Sequence, residues 1–304
     1  MHGTINNEAP LATPDSAVWL IDASIYVFRA WFERCPPRYD DQHHPVNAVH
    51  GFLRFVYQLL SSEKPAQIAF AFDTSLKDSE RKRLYPAYKA NRQSAPEELR
   101  YQFQLCRDFL SALGLVQASS TSHEADDLIG SWANQQRRPG QRLLIISGDK
   151  DLTQLVREQD LWWDYGRRRP YNAGTIKSEL GVWPEQVADQ LAIAGDRSDN
   201  IPGVPGVGMA TAAKLLKRFG TLENLLANTG DIATMQIRGA VLIRDRIRQY
   251  RDTILLARQL TGIRDHLSDL PDNLTRGPVD PAQLEQLCRQ LNLESSCHQR
   301  WMQV

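Results

Sequence analysis

Three short apolar runs in this 304-residue chain each end in an aspartate: Val-Trp-Leu-Ile leads into Asp22, Gln-Ile-Ala-Phe-Ala-Phe into Asp73, and Leu-Leu-Ile-Ile-Ser-Gly into Asp149. Runs this short and this uniformly apolar read as strands buried on both faces. Strands are expected at 18–21, 67–72, 142–147 and 161–165, and helical periodicity falls at 47–61, 97–113 and 124–136. Strands alternating with helices give an α/β fold with a mostly parallel central sheet flanked by helices. Sheets of that kind carry their sites at the carboxyl ends of the strands. One aspartate after a strand is an ordinary turn residue, whereas three on neighbouring strands make an acidic rim.

Further acids follow. In His-Glu-Ala-Asp-Asp-Leu, Glu124 and Asp127 stand three residues apart on one helix face, with Asp126 beside them. Acids also favour a helix N-terminus for its dipole alone, and that reading stays open. Asp149-Lys150-Asp151 and Gly195-Asp196-Arg197-Ser198-Asp199-Asn200 add carboxylates in turn-like contexts, where an Asx turn or a helix cap is the alternative. The candidates are Asp22, Asp73, Glu124, Asp126, Asp127, Asp149, Asp151, Asp196 and Asp199. Two unit charges about 4 Å apart repel by about 4 kcal/mol at an effective dielectric near 20, so such a set needs cations. Oxygen ligands without Cys or His select Mg²⁺ or Mn²⁺ and not Zn²⁺. Two such ions about 4 Å apart suit in-line attack of water on a phosphodiester.

Lys+Arg and Asp+Glu both number 36, so no global positive charge advertises a nucleic-acid partner and any such partner must be read from local charge. Residues 77–92 carry Lys77, Arg81, Lys82, Arg83, Lys89 and Arg92 against Asp78 and Glu80, with Tyr85 and Tyr88 interleaved. Beside Asp73, this segment suits a nucleic-acid strand, with tyrosines available for stacking; a solvated helix face is the alternative. After Asn200, Gly203, Gly206 and Gly208 open into a helix bearing Lys214, Lys217 and Arg218. The exposed amides there suit phosphate, although a plain helix–helix turn would use the same glycines. No strand leads into them, which argues against a dinucleotide fingerprint. Arg244, Arg246, Arg248 and Arg251 lie on a later helix, and Arg167 to Arg169 read as a hairpin turn.

Cys35, Cys106, Cys288 and Cys297 are scattered, with no CxxC pair, as expected for reduced thiols in a cytoplasmic protein. Neither a signal peptide nor a membrane span is expected, and residues 1–17 read as a loose tail.

The ordered set of an aspartate after the first strand, Ala-Phe-Asp with Tyr-Lys-Ala-Asn-Arg, His-Glu-Ala-Asp-Asp-Leu-Ile-Gly, Ser-Gly-Asp-Lys-Asp-Leu-Thr-Gln-Leu and Ala-Gly-Asp-Arg-Ser-Asp-Asn-Ile-Pro-Gly-Val-Pro-Gly-Val-Gly resembles the 5′ nuclease family. That family includes flap endonucleases, phage 5′ exonucleases and the 5′→3′ exonuclease domain of bacterial DNA polymerase I. The similarity runs from about residue 18 to 226, and more loosely to about 290. It implies a PIN-like, resolvase-like nuclease core at 18–200, a basic helical arch at about 77–105, a helix–two-turn–helix DNA-binding subdomain at 201–290 and a tail at 291–304. It assigns Asp22, Asp73, Glu124, Asp126, Asp127 and Asp149 to a first Mg²⁺ and Asp151, Asp196 and Asp199 to a second, with K⁺ at the glycine turn. It implies that Lys89 and Arg92 stand at the base of the arch, that Arg29 contacts substrate and that the turn of Gly203, Gly206 and Gly208 grips the duplex; Lys89, Arg92 and Asp149 are the expected catalytic residues, and Arg81, Tyr88 and Lys214, read from local charge, are expected to contact DNA with them. Ala23 stands where many members have glycine.

The expected protein is a monomeric, structure-specific 5′ nuclease of DNA replication and repair. It would cut at 5′ ends or flaps, with specificity from shape because phosphate contacts carry no sequence information. A structure-specific DNA-binding protein with little catalysis and an RNA-directed nuclease are the alternatives.

Overall fold

The computed structural model describes residues 17–74, 79–294 and 296–304. The expectations for residues 1–16, Lys77 and Asp78 lie outside the described residues. Five strands, β1 (Ala17–Asp22), β2 (Gln67–Asp73), β3 (Val116–Ser120), β4 (Arg142–Ile146) and β5 (Leu161–Trp163), form one sheet in the order β3-β2-β1-β4-β5. Every pairing is parallel, with Ile21 opposite Ile146 and Asp22 opposite Ala71. The α/β reading holds. The strand missing from it is β3, whose Val-Gln-Ala-Ser-Ser is half-buried at a sheet edge and carries no apolar run.

The described residues form thirteen α-helices: α1 (Ala23–Trp31), α2 (Asn47–Glu63), α3 (Glu80–Leu84), α4 (Glu97–Ala112), α5 (Ala125–Gln136), α6 (Ala173–Leu180), α7 (Val187–Ala194), α8 (Met209–Phe219), α9 (Leu222–Ala227), α10 (Ala240–Gln249), α11 (Arg251–Thr261), α12 (Pro281–Gln290) and α13 (Cys297–Trp301). Side chains alternate between the sheet's two faces. Trp19, Ile21, Phe70, Phe72, Leu144 and Ile146 enter a core with α1, α2 and α4. Val18, Leu20, Ala69, Leu143 and Ile145 enter a second core with Leu128, Ile129 and Trp132 of α5, and this core continues into α7, α8 and α11. Each large side chain buried here contributes about 2–3 kcal/mol. None of the described helices is long and apolar enough to cross a membrane.

The expected tail at 291–304 changes: Leu291, Cys297 and Trp301 are buried in a core shared with α4 and α12. Leu284, Leu287 and Leu291 turn one apolar face into the core shared with α4. Trp301, 3% exposed, meets Tyr57 and Phe109 edge-on with ring centroids 5.1 Å apart in both pairs. A strap of this kind is a structural part of the nuclease-side core. Trp301→Ala is therefore expected to lower the unfolding free energy by about 3–5 kcal/mol, read as a fall in the urea midpoint; a change near zero would restore the tail reading.

Candidate active site

The sheet's carboxyl rim is assembled by local hydrogen bonds. Asp22 ends β1 and caps α1, its Oδ1 accepting from the Ile25 amide at 3.4 Å and its Oδ2 from the Ser147 hydroxyl at 2.7 Å. Asp73 ends β2; its own amide donates to the Ser24 hydroxyl at 2.7 Å, and its Oδ1 accepts from the Ala125 amide at 2.9 Å, which pins the start of α5 beside the strand. Glu124 and Asp126 come in on that helix start. Ser147 recurs after β4, where it receives the Asp149 amide at 2.9 Å, and Asp149 Oδ1 accepts from the Asp151 amide at 2.9 Å. Asp196 and Asp199 sit on the turn between α7 and α8, where Asp196 accepts from Ser198 at 2.8 Å.

Lys89 reaches into this rim. Its ammonium lies 2.5 Å from Glu124 Oε2 and 3.5 Å from Asp199 Oδ2, and Arg92 pairs with Asp199. The Tyr88 hydroxyl stands 3.1 Å from Glu124 Oε2 and 3.2 Å from Asp199 Oδ2, so its one proton is shared between them.

Asp127 departs from the expected set. Both its oxygens are taken by Arg81 at 2.6 and 2.7 Å, and it also accepts from the amides of Arg264 and Glu124. Burial works against its charge, but the Arg81 bonds win and hold it below the usual carboxylate range. Successive residues on a helix point about 100° apart, so Asp126 and Asp127 cannot both face the rim. The Glu-x-x-Asp spacing was a capping signal, and Asp127 serves the helix start. Arg81 is corrected with it: 6% exposed, it also donates to the carbonyls of Leu260 and Gly262 and ties α3, α5 and the end of α11 together, leaving no face for DNA. Tyr88, 2% exposed, has no ring face for base stacking. The described residues 79–92 do not stand free as an arch; they dock on the 196–200 turn through Lys89 N to Asp199 O at 2.9 Å and Asn200 Nδ2 to Ala87 O at 2.7 Å.

The other eight acids feel one another. Burial, then Asp73, push the Asp22 carboxyl up to about 7. Burial, then Asp149 and Asp22, push Asp126 well above the usual range; burial, then Asp149, Asp196 and Asp199, do the same to Asp151. Burial also raises Asp73, against the pull of Lys89, and Asp149, against the bond from the Asp151 amide. As placed, no three His, Cys, Asp or Glu side chains among the described residues form a group that could hold an ion. Lys89 stands between Glu124 and Asp199. The residues nevertheless fit hard divalent ions. Their donors are all oxygen, and Glu124 Oε1 is buried with no hydrogen-bond partner, which is costly unless something binds it.

Arg29 borders the rim, 2.5 Å from Asp164 and laid across Gly148, where a Cβ would come within 1.7 Å of the guanidinium. In the glycine turn, a Cβ on Gly203 would lie 2.2 Å from the Ala194 carbonyl, so the turn packs directly on the end of α7. Gly206 lies beneath Arg246, whose Nη1 donates to Pro205 O at 2.8 Å. Gly208 caps α8, and Lys214 is exposed one turn along. Ser24, Ser147 and Asp164 were not foreseen. Of these only Ser147 carried a sequence signal, as the residue closing an apolar run two places before Asp149.

Comparison with known proteins supplies the relationship. A family model described as 5′-3′ exonuclease, N-terminal resolvase-like domain, matches residues 17–181, and one described as 5′-3′ exonuclease, C-terminal SAM fold, matches residues 182–285. The 5′-3′ exonuclease of Aquifex aeolicus is 35% identical over 211 residues, which is 69% of this chain and 72% of that protein. DNA polymerase I of Bacillus caldotenax is 37% identical over 250 residues, 81% of this chain but only 28% of the polymerase. The chain thus spans under a third of that relative. Among solved structures, T5 5′-exonuclease with bound zinc superposes with a TM-score of 0.64 at 18% identity, over 90% of this chain and 99% of that one. The catalytic core of Rad2 in complex with DNA substrate gives 0.64 at 16% identity, over 95% and 91%.

Two outcomes follow from the electrostatics. Asp127→Asn removes the bidentate counter-charge of buried Arg81, leaving it Glu124 Oε1 at 3.9 Å, and should cost about 3 kcal/mol of stability in chemical denaturation. Asp22 behaves oppositely with pH. Its folded-state pKa lies above the unfolded value, so the native state holds the proton longer, and this residue's contribution to stability declines as pH rises from 4 to 7. In EDTA, the stability difference between Asp22→Asn and the parent should move in favour of the variant by up to about 4 kcal/mol over that window; a constant difference would refute the shift.

Proposed function

The chain belongs to the 5′-3′ exonuclease family, and on that premise we propose that it hydrolyses DNA phosphodiesters at 5′ ends and 5′ flaps with two Mg²⁺ ions, acting as a cytoplasmic monomer in DNA replication and repair. The observation that carries this reading is the convergence of Asp22, Asp73, Glu124, Asp126, Asp149, Asp151, Asp196 and Asp199 on one rim with Lys89 among them. Asp22, Asp73, Glu124, Asp126 and Asp149 would hold one ion and Asp151, Asp196 and Asp199 the other. When bound, such a pair supplies a metal-generated hydroxide and charge stabilisation at the attacking and leaving oxygens.

The chain's own residues do the rest. Ser147 and the amides of Ile25, Ala125 and Asp151 fix the carboxylates in register before substrate arrives. Preorganisation of this kind is what electrostatic catalysis needs. Lys89 and Arg92, the cations at the rim, stabilise charge developing on the scissile phosphate. Lys214 and the amides before α8 grip the duplex backbone through the glycine turn. A K⁺ ion on that turn's carbonyls would share them with Arg246, which already bonds Pro205 O. Arg29 contacts the strand next to the rim.

Labelled 5′-flap DNA with Mg²⁺ tests the reading. Asp149→Asn should lose cleavage by at least about a thousandfold while binding the same flap in EDTA with nearly unchanged affinity, and unaltered turnover would overturn it. The matching RNA flap should be cut more slowly, and the reverse order would make RNA the substrate.

A further inference from the structure

Residues 85–94 are held to the protein in an unusual way. Residues 90–94 are exposed, so apolar burial does not fix them. Lys89 adopts a left-handed backbone conformation, φ +51°, which is unfavourable for a lysine and persists only where surrounding bonds impose it. Those bonds converge on a single place. The Lys89 amide donates to Asp199 O, Asn91 Nδ2 donates to Arg197 O at 3.1 Å, and Asn200 Nδ2 reaches back to Ala87 O. The side chains do the same: Lys89 to Glu124 and Asp199, Arg92 to Asp199, and the Tyr88 hydroxyl to both acids. Apart from the Tyr88 ring and Tyr85 at the segment's start, which packs on the core, the fastening is made to carboxylates of the candidate metal site and to the turn that carries two of them.

We propose that Lys89 is an internal counter-cation that latches residues 85–94 onto the acidic rim, and that divalent cations compete with it for Glu124 and Asp199, so that metal loading loosens the segment. The proposal rests on reading the rim as the metal site. Its logic is linkage. A cation drawn to Glu124 and Asp199 gains most when the Lys89 ammonium leaves, and the free energy coupling the two events is the same in either direction. The outcome suits the chemistry: metal arrival would free Lys89 and Arg92 for a phosphate and open the exposed segment to an incoming 5′ strand. The strained φ at Lys89 favours release once the side-chain contacts go.

Mg²⁺ titration calorimetry and amide exchange, both without DNA, test this. Lys89→Met should bind Mg²⁺ at least tenfold more tightly than the parent protein. In the parent, amide exchange across 88–94 should accelerate severalfold with Mg²⁺; in the variant it should be fast with or without the ion. Equal or weaker Mg²⁺ binding by Lys89→Met, or parent exchange indifferent to Mg²⁺, would overturn the latch while leaving the nuclease reading intact. A parent protein that binds no Mg²⁺ at all would instead overturn the metal site. The exchange experiment on the parent decides even where the variant fails to fold.

Discussion

Eight carboxylates crowded at one end of a parallel sheet set the terms for the rest of this molecule. At an effective dielectric near 20, each pair about 4 Å apart costs about 4 kcal/mol, and domains are stable by only about 5–15 kcal/mol in total. The fold offsets the repulsion in two ways. Hydroxyls and amides point at the carboxylates from Ser147, Ile25, Ala125 and Asp151, and Lys89 and Arg92 bring positive charge to the rim. Burial first, and the neighbouring carboxylates after it, still displace Asp22, Asp126 and Asp151 towards their protonated forms. On the proposed reading, divalent cations would relieve the part of that displacement that comes from the neighbouring charges.

Such a rim can exist only on a rigid base. Phe70 and Phe72 on one face of the sheet, and Leu20 and Ile145 on the other, are essentially inaccessible to solvent, and helices cover both layers. The buried Arg81–Asp127 pair adds a second anchor by binding α3 and α5 to the carbonyls at the end of α11. Placing an ion pair where water is excluded is costly unless its donors find acceptors, and Arg81 places four of its five N–H donors on Asp127, Leu260 and Gly262.

What the sequence disclosed divides along physical lines. The parallel sheet and the aspartates at its edge were legible because a fully buried strand must be apolar and its terminal residue must leave the core. Strand β3 was not, since an edge strand with one half-wet face can be built from Gln, Ala and Ser. The docking of the strap formed by α12 and α13 was hidden because its partners, Phe109 and Tyr57, lie far earlier in the chain than Trp301 and no local pattern announces the contact. Charge runs misled in a particular direction. Arg81 and Tyr88 have the composition of a DNA-facing segment, but a charged residue can be buried when its counter-charge is buried too, and Asp127 and Glu124 supply that. Sequence shows which charges are present; only packing decides which of them neutralise each other.

The site also joins the two halves of the chain. Asp22, Asp73, Glu124, Asp126, Asp149 and Asp151 come from the region matched by the N-terminal family model, whereas Asp196 and Asp199 come from the region matched by the C-terminal one. The turn that bears them leaves α7, a helix packed against α8 and α11, and it closes through an antiparallel bridge between Asp196 and Ile201 before running into the glycine turn. Gly203 seats that turn directly on the end of α7. Any shift of α7 and α8 on a bound duplex would therefore move Asp196 and Asp199 with it, over a few residues of tightly bonded backbone. If the glycine turn grips a duplex as proposed, that grip and the completion of the acidic rim would be coupled over these few residues of backbone. Shape selectivity would then need no separate sensor, because a substrate that failed to seat on the glycine turn would also fail to align the last two carboxylates.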